Sequence, residues 1–116
     1  MIDEQKLQQV LRDFVNDRDW EQFHSPRNLI SALNVEAGEL LELFQWESKN
    51  HIVDVNEPET RQKVEDEIAD VFIYLLRIAD KLDVSLENVA IAKMKKNAEK
   101  YPIDKSKGKA VKYTEL

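Results

Sequence analysis

Two short acidic patterns carry the chemistry open to this chain, Glu36-x-x-Glu39 and Glu67-x-x-Asp70. Residues three apart share a helix face, so each pair points one way. Glu36 also stands in the series Leu29, Leu33, Glu36, Leu40, Leu43, in a slot where an apolar side chain belongs. Carboxylates that interrupt an apolar stripe are costly unless something neutralises them. If the two helices meet, the four carboxylates repel strongly at low effective dielectric. Either some take up protons or a divalent cation enters. The donors are all hard oxygens, which suits Mg²⁺, or Mn²⁺ in its place, rather than zinc or copper. A di-iron bundle wants Glu-x-x-His, and neither His24 nor His51 sits in one. The plain alternative is that acidic pairs at this spacing are ordinary on solvated helix faces. Each pattern alone says almost nothing; their joint occurrence inside strongly apolar helices says more.

Mg²⁺ held by carboxylates keeps several waters and meets its substrate through phosphate oxygens. The rest of a polyphosphate then needs positive charge. Lys93, Lys96, Asn97 and Lys100 recur at helical steps and could supply it, or form a solvated basic face. A nucleobase needs flat partners, for which Trp20, Phe23, His24, Trp46 and Tyr74 are the candidates. Core packing is the competing reading, above all for Phe23. Trp46 lies beside Gln45 and Glu47, which favours partial exposure.

The elements that must position these residues read as helices, because the chain has only 2 glycines and 3 prolines. The spacing predicts a first helix from about Asp3 to Asp17, with Leu7, Val10, Leu11 and Phe14 on one face. An aromatic-rich connector, Arg18 to His24, follows. Ser25 as N-cap and Pro26 at the first position start a second helix that runs to about Ser48. After a loop from Asn50 to Glu57, a third helix runs from near Pro58 to about Lys81. Asp83-Val84-Ser85 resets the chain, and Ser85 caps a fourth helix that ends near Lys100. Tyr101-Pro102 stops it, since the residue before proline disfavours helix. The lysine-rich tail beyond reads as irregular. Helices two and three are apolar over more than half their circumference and need more than one neighbour. The expectation is therefore an all-α four-helix bundle completed by oligomerisation.

Bulk properties narrow the classes. At 116 residues, 42% apolar and 34% charged, the chain fits one globular domain, 1–116, with a tail from about 102. It has no cysteine, which excludes disulfides, zinc–thiolate sites and a thiol nucleophile. The acidic start Met1-Ile2-Asp3-Glu4 has no apolar signal region, and no apolar run reaches membrane-span length. The expected location is the cytoplasm, with no membrane partner. Net charge is −6 but uneven: residues 1–92 hold 20 acidic and 9 basic side chains, while 93–112 hold eight lysines against two acids. Such asymmetry marks either a solubilising tail or an anion-binding end.

Taken together, these residues resemble the all-α MazG-like nucleoside triphosphate pyrophosphohydrolases, and within them the single-domain dCTP pyrophosphatase branch. The hallmark lies in Val35-Glu-Ala-Gly-Glu-Leu40 and Glu65-Asp-Glu-Ile-Ala-Asp-Val71. The narrower likeness rests on Trp20-Glu-Gln-Phe-His24, Ser25-Pro-Arg-Asn-Leu29, Leu43-Phe-Gln-Trp46 and Lys112-Tyr-Thr-Glu-Leu116, and spans most of the chain. The resemblance implies cleavage between the α- and β-phosphates of a nucleotide. It implies that Glu36, Glu39, Glu67 and Asp70 hold Mg²⁺, and that Glu36 or Glu39 handles the attacking water. It further implies a nucleotide pocket at Trp20, Glu21, Gln22, Phe23 and His24 with Trp46 and Tyr74. Asn97, Lys100 and Tyr101 match the phosphate-facing segment. A dimer or dimer of dimers is implied, the tetramer favoured, with no nucleic-acid partner. One departure stands out: some dCTP-type members carry a histidine in the first helix where this chain has Leu11. The alternative from another class is a non-enzymatic helical interaction module with a basic tail.

Overall fold

Side-chain caps set where the helices begin. α1 spans Glu4–Asp17 and is opened by Asp3, whose carboxylate accepts from the Lys6 amide at 3.0 Å. α2 spans Pro26–Glu42 behind Ser25, whose hydroxyl accepts from the Asn28 amide at 3.2 Å. α3 spans Pro58–Lys81 behind Glu57, whose carboxylate takes the amides of Glu59 and Thr60. α4 spans Leu86–Lys100 behind Ser85. Each cap satisfies amides that a first turn leaves without partners, typically worth about 1 kcal/mol. A one-turn α5, Ile103–Ser106, and 3₁₀ turns at Glu21–Phe23 and Tyr113–Glu115 complete the computed structural model, which describes residues 1–116. There is no strand, only an isolated bridge between Ser48 and His51, so the all-α class expected from the sequence holds.

Two boundaries differ from the sequence reading. The second helix stops at Glu42, not near Ser48. Beyond it the amides of Phe44, Gln45 and Glu47 bond to carbonyls three residues back, so the coil tightens out of α geometry. The aromatic residues there, Phe44 and Trp46, add little helix propensity to resist this. The tail is also not wholly irregular, since it holds α5 and the last 3₁₀ turn.

α1 and α3 each end with an aspartate in the left-handed region, Asp19 and Asp83, both at φ 53°. Aspartate tolerates that conformation better than most residues, and it stops a helix without glycine.

The chain divides into two compact units, Met1–Asp83 and Val84–Leu116. In the first, α3 packs against both α1 and α2. The core holds Val15, Leu29, Leu76, Ile78 and Ala79, with Leu29 and Leu76 only 1% exposed. Leu76, Arg77, Ile78 and Ala79 are buried in succession, so α3 is enclosed on all sides over that turn. Gln8 donates to the Leu76 carbonyl at 3.2 Å, and Arg12 pairs with Asp80 at 3.0 Å. Both partners advance by four residues, so α1 and α3 run in the same direction.

Of the apolar stripe on α1, Leu11 turns inward and is half-buried. Gln8 and Val15 are buried, whereas Leu7, Val10 and Phe14 are exposed. At about 100° per residue, Leu7 and Phe14 lie roughly a quarter-turn around from Gln8. The amphipathic stripe is real, but in the first unit it meets little beyond Trp20 and Arg18, which pack on Phe14. α2 turns the series that holds Glu36 inward, with Leu29 buried and Leu33, Glu36 and Leu40 half-buried, while Ile30 and Leu41 are exposed. The second unit buries little. Lys100 stands 4.7 Å from the Tyr113 ring, and Tyr101 meets Tyr113 edge-on at 6.3 Å.

Candidate active site

α2 and α3 bring the two acidic patterns together. One carboxylate oxygen from each of Glu36, Glu67 and Asp70 lies within 4.8 Å of the others, and all three side chains are half-buried. Glu39, one turn along α2, lies close enough to Glu36 and Glu67 to perturb both. The Oε2 atoms of Glu36 and Glu67 are buried with no hydrogen-bond partner. Two ionised carboxylates cannot bond to each other, because neither has a proton to donate.

The electrostatics follow from that crowding. Burial, then hydrogen bonding to Glu39 and Glu67, then the charges of Glu39 and Asp70, push the Glu36 carboxyl up to about 7. Burial also raises Glu67, aided by the charges of Glu39 and Asp70, while its bond with Glu36 pulls the other way. This crowding favours a proton on the cluster when no cation is bound. Tyr74 borders the same cluster: burial raises its hydroxyl, and the nearby Glu36 and Asp70 charges add to that.

The donor set fits a divalent cation. Its carboxylates are hard and preformed, two of their buried oxygens have no partner, and at least one must otherwise be protonated. No nitrogen or sulfur ligand belongs to the cluster.

The connector beside this unit is ordered by local bonds. Gln22 donates to the Asp19 carbonyl at 3.0 Å and to its carboxylate at 3.1 Å. Asn28 donates to the Phe23 carbonyl at 2.9 Å, tying the 3₁₀ turn to α2. Trp20 packs edge-on against Phe14 at 5.8 Å and remains part-exposed. Phe23 is exposed, contrary to a core role, and His24 is half-buried. Trp46, 78% exposed, has most of its ring surface available. Lys93, Lys96, Asn97, Lys100 and Tyr101 belong to the second unit, where all are exposed.

One cluster escaped the sequence reading. Arg77, 2% exposed, reaches Glu21 at 3.0 Å, and Lys81 pairs with Glu21 as well. The Lys81 ammonium, hydrogen-bonded to Glu21, holds that carboxyl below its ordinary range. The signal was present: Arg77 breaks the apolar run Phe72 to Ala79 just as Glu36 breaks its stripe.

The MazG-like family model matches residues 31–116. The chain is 43% identical over 111 residues to dCTP pyrophosphatase 1 of Rattus norvegicus, covering 95% of this chain and 65% of the relative. It is 40% identical over 111 residues to the Homo sapiens protein of the same name, again covering 95% of this chain and 65% of the relative. It thus spans 65% of the length of these curated relatives. A solved structure described as a pyrophosphatase, from Archaeoglobus fulgidus, superposes with a TM-score of 0.74 at 38% identity. That match covers 84% of this chain and 91% of the archaeal one.

Proposed function

The chain belongs to the MazG-like family, and from that premise we propose that it hydrolyses (deoxy)nucleoside triphosphates between the α- and β-phosphates, giving a nucleoside monophosphate and pyrophosphate. The observation that carries this reading is the half-buried trio Glu36, Glu67 and Asp70, two of whose oxygens are buried without partners. Relatives named dCTP pyrophosphatase support dCTP, or a related or modified deoxynucleotide, as substrate. Clearing such nucleotides from the pool is the purpose that fits.

Glu36, Glu67 and Asp70, joined by Glu39, would hold Mg²⁺, with Mn²⁺ able to replace it. When bound, the cation supplies charge neutralisation for the pyrophosphate leaving group. Glu36 or Glu39 orients the attacking water or takes its proton. Water adds at phosphorus, the bridging P–O bond breaks, and the leaving oxygen departs with pyrophosphate. Tyr74, kept neutral by its surroundings, offers a hydroxyl at the edge of the cluster. Trp20, Phe23, His24 and Trp46 form the base side of this reading.

The exposed stripe Leu7, Val10 and Phe14, with Ile30 and Leu41 on α2, supports a homo-oligomer, the tetramer favoured over the dimer. No helix is long and apolar enough to cross a membrane, and a cytoplasmic location is part of the proposal.

The test is to incubate the protein with each deoxynucleoside triphosphate and Mg²⁺, with and without EDTA. Pyrophosphate and monophosphate appear with Mg²⁺ and vanish with EDTA. Orthophosphate as the product, or no turnover of any nucleotide, would overturn the reading.

A further inference from the structure

We infer that Arg77 is a positioning residue that clamps the Glu21–His24 turn from inside the core, fixing the base side of the nucleotide pocket; this rests on the reading above. Arg77 sits in the enclosed turn Leu76–Ala79 and is itself 2% exposed. Its Nη2 donates to Glu21 Oε2 at 3.0 Å and faces His24 Nδ1 at 3.4 Å. Its Nη1 reaches Asp80 Oδ2 at 3.4 Å. One guanidinium thus ties α3 to both ends of a short 3₁₀ turn more than fifty residues away in sequence.

Stability does not account for this arrangement. A buried ion pair usually gains little over a well-packed apolar residue. Arg77 Nε is moreover buried without an acceptor, a further penalty. What the guanidinium supplies that a methionine would not is direction: a rigid fork that accepts only one placement of its partners.

That placement has a consequence at His24. A guanidinium only donates, so this 3.4 Å contact is a hydrogen bond when Nδ1 is the accepting, unprotonated nitrogen. The ring proton then belongs on Nε2, and the ring is a neutral donor of fixed orientation. The groups around it act together: burial and the Arg77 charge disfavour a second proton, Lys81 adds slightly, and Glu21 opposes. Arg12 and Asp80 complete the network behind Arg77.

The experiment compares Arg77→Met and Glu21→Gln. Removing Arg77 strands neither anion, since Asp80 keeps Arg12 and Glu21 keeps Lys81. Arg77→Met should melt near the wild-type temperature yet raise KM for the preferred nucleotide roughly tenfold, the scale of one charged hydrogen bond, with kcat little changed. Glu21→Gln weakens the same tie from the part-exposed side; because Glu21 itself borders the pocket, its KM counts only together with the His24 signal, which serves if Arg77→Met does not fold. The two effects should not add in the double variant. Nitrogen-15 spectra of the histidine rings give a readout independent of turnover, with only His51 to separate. His24 should show the Nε2–H form in wild type, and a mixed form that protonates more readily in Arg77→Met. Wild-type KM in both variants, or an unchanged His24 signal, overturns the clamp. A wild-type protein that releases no pyrophosphate overturns the activity instead, and the His24 signal tells the two failures apart.

Discussion

Replacing Glu36 with glutamine should make the cation-free protein more stable at alkaline pH. The reasoning starts from the carboxyl being raised from an ordinary value of 4.5 to about 7 in the folded chain. Between those values the folded state holds a proton that the unfolded state has lost. Stability from this group is therefore full below pH 4.5 and declines as pH rises through 7. At 1.36 kcal/mol per pH unit the loss by pH 8 is about 3 kcal/mol at most. Glutamine has the shape of the protonated acid and cannot ionise, so it should remove this decline. In a domain of this size the difference is on the order of 10 °C in Tm. The assay is thermal melting in EDTA at pH 5 and pH 8, repeated with excess Mg²⁺. In EDTA the two proteins should lie close at pH 5, where less than about 1 kcal/mol has been lost, and the variant should melt clearly higher at pH 8. With Mg²⁺ the order at pH 8 should reverse, because only the wild type gains the full binding energy of the cation. Parallel pH dependence of the two proteins in EDTA would refute the idea that crowding of Glu36 by Glu39, Glu67 and Asp70 sets its protonation.

Three further outcomes follow from the same geometry. Glu39→Gln and Glu67→Gln should each lower pyrophosphate release by at least about a hundredfold while leaving the circular-dichroism spectrum unchanged, and wild-type rates in both would end the metal-site proposal. Trp46→Ala should chiefly raise KM and alter the ranking of the four deoxynucleotides, so an unchanged ranking removes Trp46 from the pocket. Phe14→Glu, placed on the exposed face of α1, should shift the protein to smaller species in light scattering at micromolar concentration; a wild-type protein that is already monomeric there rules out the oligomer.

Helix starts were legible because capping is local: Asp3, Ser25, Glu57 and Ser85 each bond to an amide two or three residues away. The end of α2 was not, because Phe44 and Trp46 fit an apolar helical stripe equally well in α or tighter geometry. The acidic patterns could be seen, but that Glu36 meets Glu67 and Asp70 depends on how α2 packs on α3, which no spacing within either helix encodes. Periodicity revealed a sticky stripe on α1 without saying how much of it this chain covers, and Leu7, Val10 and Phe14 stay exposed. Arg77 was missed for a different reason. Asp80, three residues on, makes it read as a local surface pair, while its main partner Glu21 lies 56 positions away.

Gln8 also bears on how the first helix finds its place. Greasy side chains slide past one another at little penalty, so an apolar seam between two parallel helices tolerates several alignments. An amide aimed at the Leu76 carbonyl has one acceptable alignment, and every slipped one leaves it thirsty in a dry interior. By placing a polar group among its few core positions, the chain gives up some cohesion and gains an unambiguous docking of α1, on which the orientation of everything from Trp20 to His24 then depends.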